Sequence, residues 1–257
     1  MRKLFLALLA LLVWAMPAWA QITLVSGQTA SSTSGTMWVG GSLDQTLSFP
    51  GAVTSGNTVV AWTGWTLPSR TMSCTHDGNA MTAITTVGGT GGSYQSAFQV
   101  FAIVATTTGT DVTCTMSGTD PNEVQSFAIA EFTGTAAVLS TQGVTGVNTT
   151  TAAETTAATS HDSGADLTPD TTHNLSVMGA VCTGNGGTWG NDGATMIISG
   201  AFWRTGYLIQ SSTTALDWVP TTTNSVDCEI AHQNLDGATA GATCTGGLTL
   251  LGAGKCD

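Results

Sequence analysis

The stretch SAFQVFAIVATTTGTDVTCTMSG, residues 96–118, decides the fold class. From Ser96 to Thr106 it is made of β-formers, and period two puts Phe98, Val100, Ala102 and Val104 on one face. A Thr- and Gly-containing turn follows. Asp111 to Gly118 then alternates cleanly, so that Val112, Cys114 and Met116 share a face. The same unit of strand, turn and strand recurs on either side. Asn57 to Trp65 (NTVVAWTGW) reads as a buried strand. Met72 to Thr86 reads as a hairpin turning at Asp77-Gly78-Asn79, where Asp-Gly supplies the positive φ of a tight turn. Downstream, VQSFAIAEF (124–132), NLSVMGAVC (174–182), TMIISGAFWRTGYLIQ (195–210) and SVDCEIAHQNL (225–235) are further strands. Helical periodicity is nearly absent, so the pattern predicts an all-β protein, a jelly-roll-like antiparallel β-sandwich.

A Thr-, Ala- and Gly-rich connection from Gly134 to Ser163 separates two weakly similar halves, about residues 21–140 and 160–236. In both, a polar turn leads into an Asn-headed apolar strand (Phe49 to Trp65, Leu167 to Cys182), and Val124–Phe132 can be laid loosely on Val226–Asn234. The expectation is one sandwich domain over residues 21–236, its halves supplying successive strands of a double sheet, followed by a Gly-rich tail over 237–257.

The N-terminus begins Met1-Arg2-Lys3, continues as an apolar run from Leu4 to Met16, and ends Pro17-Ala18-Trp19-Ala20. That is the basic, apolar and small-residue order of a signal peptide spanning residues 1–20, cleaved between Ala20 and Gln21. The apolar run is shorter than the ~20 residues that span a bilayer. A secreted product, extracellular or at the cell surface and free of the membrane after cleavage, is the expectation.

Without the leader, Arg70, Arg204 and Lys255 are the basic residues left against 16 acidic ones, a formal charge of −13. A surface that anionic cannot displace counterions from phosphate, which excludes nucleic acid and anionic membranes as partners. Only 8% of residues are charged while 42% are hydrophobic, so the chain can bury a core and must present Thr and Ser to water.

Six cysteines (Cys74, Cys114, Cys182, Cys228, Cys244, Cys256) all follow the leader. An even number in an oxidising compartment argues for three disulfides, and six cysteines allow 15 connectivities. Spacing and strand placement favour Cys74–Cys114, Cys182–Cys228 and Cys244–Cys256, the last pinning the tail.

The runs SFPGAVTSGNTVVAWTGW, CTHDGNAMTAI, QVFAIVATTTGTDVTCTMSG and SFAIAEFTG resemble jelly-roll modules of bacterial secreted proteins and of phage virion or tail-associated proteins. The resemblance spans Thr46 to Leu235 and lies in strand order and turn placement. It implies the fold and a role in surface structure or attachment, and it carries over no catalytic residue. Within it, the first two cysteine pairs each join neighbouring strands and close a loop of about 40 residues or more, a stabilisation of about 4 kcal/mol by chain entropy.

Motifs of known chemistry are missing: no G-x-S-x-G elbow, no H-E-x-x-H, no phosphate loop. Neither Asp162, Asp166 and Asp170 nor Asp120-Pro121-Asn122-Glu123 matches a calcium loop, so no metal or other cofactor is expected. His76 reads as a polar flank of its hairpin, and His161 and His173 as solvated. His232 shares a face with Val226, Cys228 and Ile230, and Glu131 with Phe127 and Ile129; meeting at strand ends, Glu131 and His232 would form an acid–base pair. Among the tryptophans after the leader, Trp62 and Trp65 point to opposite faces and Trp203 suits a sheet interior, while Trp38 and Trp189 in Gly-rich settings are candidates for stacking on sugar rings. The leading expectation is a non-enzymatic surface, adhesive or self-assembling component whose partner is a copy of itself, with Gln21 to Ser26 as one strand to share. Binding of extracellular polysaccharide through a carbohydrate-binding module, and a secreted polysaccharide hydrolase or lyase, are the alternatives.

Overall fold

A computed structural model describes residues 22–34, 44–66, 70–88, 96–117, 125–133, 143–147, 158–160, 175–182, 185–190, 193–200, 202–210, 214, 218–226 and 228–235. These residues form sixteen β-strands and no helix. The leader, Trp38, His161, His173, both acidic loops and the Cys244–Cys256 pair lie outside them.

The strands form four sheets. The first inner sheet has the order β1 (Thr23–Ser34), β9 (Gln125–Thr133), β3 (Thr58–Thr66), β7 (Ser96–Val104), β6 (Thr82–Gly88). Facing it is the first outer sheet, β2 (Asp44–Ser48), β8 (Asp111–Met116), β4 (Met72–His76), β5 (Asn79–Ala80). The second inner sheet runs β10 (Gly143–Val147), β16 (Cys228–Leu235), β12 (Leu175–Cys182), β14 (Trp203–Ile209), β13 (Thr195–Ser199). The second outer sheet pairs β11 (Ala158–Ser160) with β15 (Thr221–Val226), and Trp189 bridges to Thr222 on its far side. All pairings are antiparallel. In the first half the opening strand lies beside the last, and the two sheets take their strands in the orders β1-β9-β3-β7 and β2-β8-β4-β5, which is the path of a jelly roll.

The two halves share one topology. In chain order, β1, β3, β6, β7 and β9 correspond to β10, β12, β13, β14 and β16. Registers fix the correspondence residue by residue. Thr58 sits opposite Phe132 and Val104, and Leu175 opposite Leu235 and Ile209. Phe132 therefore corresponds to Leu235, one residue on from the alignment that the sequence suggested. That residue matters, because a slip of one exchanges the two faces of a strand.

Three buried clusters show how the sheets stack. Val59, Ala61, Trp65, Phe101, Phe127 and Ile129 of the first inner sheet pack against Val112, Cys114 and Met116 of the outer one. The opposite face, with Val60, Trp62, Phe98, Val100, Ala128 and Phe132, packs against Leu175, Val177, Val181, Trp203, Tyr207 and Leu235 of the second inner sheet. The remaining face of that sheet, with Met178, Ala180 and Ile230, meets Trp189, Trp218 and Val226. The chain is thus two jelly-roll sandwiches packed back to back, where one double sheet was expected, and the central cluster draws on both halves.

The back-to-back face is built from reciprocal fits. Phe98 on β7 and Trp203 on β14 are corresponding residues. The Phe98 ring lies over Gly179, where an added Cβ would fall within the ring edge. The Trp203 ring lies over Gly64, where an added Cβ would stand 2.8 Å from Trp203 Cζ3. Phe132 and Tyr207 meet edge to face across the same seam, with ring centroids 5.0 Å apart. β1 also contacts β13, and β10 contacts β6. Given the correspondence of strands, that is one contact made twice about a pseudo-two-fold axis.

Both expected disulfides within the described residues are present. Cys74–Cys114 and Cys182–Cys228 each link residues directly opposite one another in register. They occupy non-corresponding positions, the first in an outer sheet and the second in an inner one. No helix among the described residues is long and apolar enough to cross a membrane.

Gly179→Val is expected to lower the unfolding free energy by about 1–3 kcal/mol, since a branched side chain must displace the Phe98 ring from a packed seam. Guanidinium unfolding of the two proteins side by side checks this, and an unchanged midpoint would contradict the packing described.

Candidate functional site

Polar side chains enter the core at two corresponding places. On β9, Glu131 is fully buried and shares its face with Phe127 and Ile129, as strand parity predicts. Its carboxylate accepts from the Thr54 backbone N–H at 2.9 Å, from Gln28 Nε2 at 3.0 Å and from Asn57 Nδ2. Gln28 in turn donates to the carbonyls of Gly51 and Ala52 and accepts from the Gly51 N–H. It reaches them because β1 shifts register between Leu24 and Thr29, with Gly27 at a φ of 76°. Glu131 is therefore the anchor of the turn from residue 49 to 57. A buried carboxylate needs such donors, and these donors need it.

The corresponding residue on β16 is Asn234, also fully buried. Gln210 Nε2 donates to Ser176 Oγ, and the Ser176 hydroxyl donates to Asn234 Oδ1 at 2.5 Å. Gln210 Nε2 also lies 3.3 Å from Asn234 Oδ1. Two residues earlier on the same face stands His232, fully buried, with neither ring nitrogen bonded among the described residues. Burial alone lowers its pKa from 6.5 to about 4, so the imidazole is neutral at pH 7. In the first half its place is taken by Ile129.

These positions rule out an acid–base pair. Glu131 faces the first outer sheet and His232 the second, and both inner sheets stand between them. Facing sheets alone lie about 10 Å apart. The Ser176 hydroxyl is committed to Asn234, so it is no nucleophile for His232 to activate.

Trp189 is 7% exposed rather than open to a ligand. Its Nε1 donates to the Gly200 carbonyl at 2.8 Å, and the Arg204 guanidinium sits 5.7 Å from its ring centroid while donating to the Gly190 carbonyl. Trp62, Trp65, Trp203 and Trp218 are buried too, so no described tryptophan offers a sugar a stacking face. His76 flanks its hairpin, opposite Asn79, and is fully buried there. It falls on the inward face of β4 with Met72 and Cys74, and its Nε2 lies 3.0 Å from the Gly109 carbonyl. Gln28, Ser176 and Gln210 were not singled out from sequence, where each is an ordinary polar residue. The signal that would have found them is the Asn heading β3 and the polar residue ending the β9 and β16 cores.

No protein-family model, curated protein or solved structure matches the chain.

Glu131→Gln keeps the shape but turns an amide N–H₂ toward groups that are themselves donors. It is expected to destabilise the fold by about 1–3 kcal/mol in urea unfolding at pH 7; full stability would show that the carboxylate is not the anchor. His232 gives a second expectation. Its folded pKa lies below its unfolded one, so the unfolded chain takes up the proton first as pH falls. Stability from the neutral ring is complete above pH 6.5 and is lost progressively toward pH 4, on the order of 3 kcal/mol in all. His232→Ile, copying Ile129, should flatten unfolding free energy over that window, and an unaltered pH slope would refute the assignment.

Proposed function

We propose that the protein is an exported, non-enzymatic extracellular β-sandwich that serves as a cell-surface, adhesive or self-assembling structural component. The observation that carries this reading is the outward face of the first outer sheet. Asp44, Thr46 and Ser48 of β2 lie beside Thr115, Thr113 and Asp111 of β8, with Thr75 of β4 beyond. Thr46 Oγ1 and Thr113 Oγ1 are 2.8 Å apart, Ser48 donates to Asp111 at 2.7 Å, and Thr115 donates to Asp44 at 2.5 Å. The hydrogen bonds from Ser48, and then from Thr110, hold the Asp111 carboxyl below its ordinary pKa. Thr221, Thr223 and Ser225 give the opposite end of the stack a similar exposed row.

Such a face is self-bonded and free of lysine and arginine among the described residues. It suits contact with a surface or with another copy better than it suits chemistry on a small substrate, which needs a concave site with unspent polar groups. The buried ionisable residues support the same reading, since Glu131 is spent on a turn and His232 is sealed and neutral. The disulfides are compatible with life outside the cell, and the resemblance to secreted and virion-associated jelly-roll modules points the same way.

The test is the mature protein itself, studied by negative-stain microscopy and sedimentation over a range of concentrations, with fractionation of the producing cells. Concentration-dependent oligomers, filaments or a surface layer are expected. A strictly monomeric protein that stays free in the medium and binds no surface would overturn the proposal.

A further inference from the structure

The sheets end in edge strands, and most of these are spoiled for further pairing. β1, β6 and β13 each carry a register shift, the pairing of β11 with β15 is broken by another, and β5 has two residues. The outer flank of β15 is taken up by the segment from 186 to 190. Irregularities of this kind are how natural sheets avoid joining edge to edge. Two edges keep a regular ladder of five residues, β10 on β16 and β2 on β8. β10 lies against β6 of the other half, whereas Asp44, Thr46 and Ser48 of β2 are exposed.

The ladder tells which way its backbone groups point. The Phe49 N–H bonds to the Thr110 carbonyl at 2.9 Å. Bonded and non-bonded pairs alternate in an antiparallel ladder, so Leu47 and Gln45 also bond to β8, while Thr46 and Ser48 aim their N–H and C=O groups outward.

Resting on the assembly reading above, we propose that a second copy of this chain adds to that edge, β2 pairing antiparallel with β2 about a two-fold axis through Thr46. Centred there, the strand is self-complementary: Thr46 meets Thr46, and each Asp44 meets a Ser48. Those are the kinds of partner that β8 already supplies, with Thr113 opposite Thr46 and Asp111 opposite Ser48. Other registers are worse. An axis through Asp44 sets carboxylate against carboxylate, which is destabilising. An axis moved toward Ser48 draws in Pro50, which has no N–H to give. The seam is short and falls below the ~1,000 Å² of a standard interface, so pairing is weak alone and effective where copies are dense.

The test is cysteine cross-linking in the whole mature protein, alongside sedimentation of the unaltered protein up to ~1 mM, a range that reaches weak association. Thr46→Cys should form a disulfide-linked dimer under mild oxidation, because hydrogen-bonded opposite residues have Cα atoms about 5.5 Å apart. Ser48→Cys should cross-link at least about tenfold less, its two copies being roughly 13 Å apart along the strands. Thr46→Lys, with two ammonium groups at the axis, should weaken association about tenfold. Both sites are on an exposed face, and a native thermal melt confirms each variant's fold. Equal cross-linking from Ser48→Cys overturns the register. Assembly of the unaltered protein without cross-linking at Thr46 overturns this edge but leaves the assembly reading standing on another surface. A monomer throughout the range removes both.

Discussion

The two inner sheets lie face to face because a large ring on each meets a glycine on the other. Phe98 needs Gly179 bare, and Trp203 needs Gly64 bare. Sheets normally pack about 10 Å apart with side chains interdigitating, and here the largest rings are accommodated where the opposing side chain is absent. The rest of the architecture depends on this seam. With it closed, the inner strands are buried on both faces, the outer sheets are left to meet water, and a hydrophobic cluster fills each of the three gaps between the four sheets.

That constraint explains a pattern carried by the sequence itself. The strands NTVVAWTGW, SFAIAEF and NLSVMGAVC are almost continuously apolar, and they are β3, β9 and β12 of the inner sheets. DVTCTM, MSCTH and TTTNSV alternate, and they are β8, β4 and β15 of the outer ones. Continuous runs belong to strands covered on both sides, alternating runs to strands with one wet face. A lone double-sheet sandwich has no place for the first kind. The four layers were therefore legible in the periodicity, while a weak repeat pointed toward a single sandwich. The disulfide partners within the described residues were legible for a related reason, since each cysteine sits on a strand and each pair spans one return of the chain.

The polar interior was harder to read. Parity placed Glu131 and His232 on their faces correctly, but it cannot say which sheet a face looks toward. Their separation depends on the seam between the halves, a contact between residues far apart in the chain. Trp189 misled for a similar reason: its Gly-rich setting suggests exposure, and its burial comes from Arg204 and the Gly200 carbonyl, both supplied by another hairpin. In His76, a turn residue by neighbourhood was an inward residue by period.

The halves have kept their path and changed their chemistry. At corresponding positions stand Glu131 and Asn234, Ile129 and His232, Val59 and Ser176, and each half has its own disulfide in its own layer. A carboxylate suits the first half because three donors, one from β1 and two from the turn between β2 and β3, converge on it. An amide suits the second because its neighbours Ser176 and Gln210 form a chain of donors that ends on one oxygen. Polar residues are tolerated here because both sites lie where a strand leaves the core, near enough to turns for backbone or side-chain partners to reach them. A chain with so few charges must keep its edges from joining indiscriminately by geometry rather than by repulsion. Register shifts do this at β1, β6 and β13 and in the β11–β15 pair, and of the two edges left regular, β10 is backed by β6 while β2 presents alternate side chains to water.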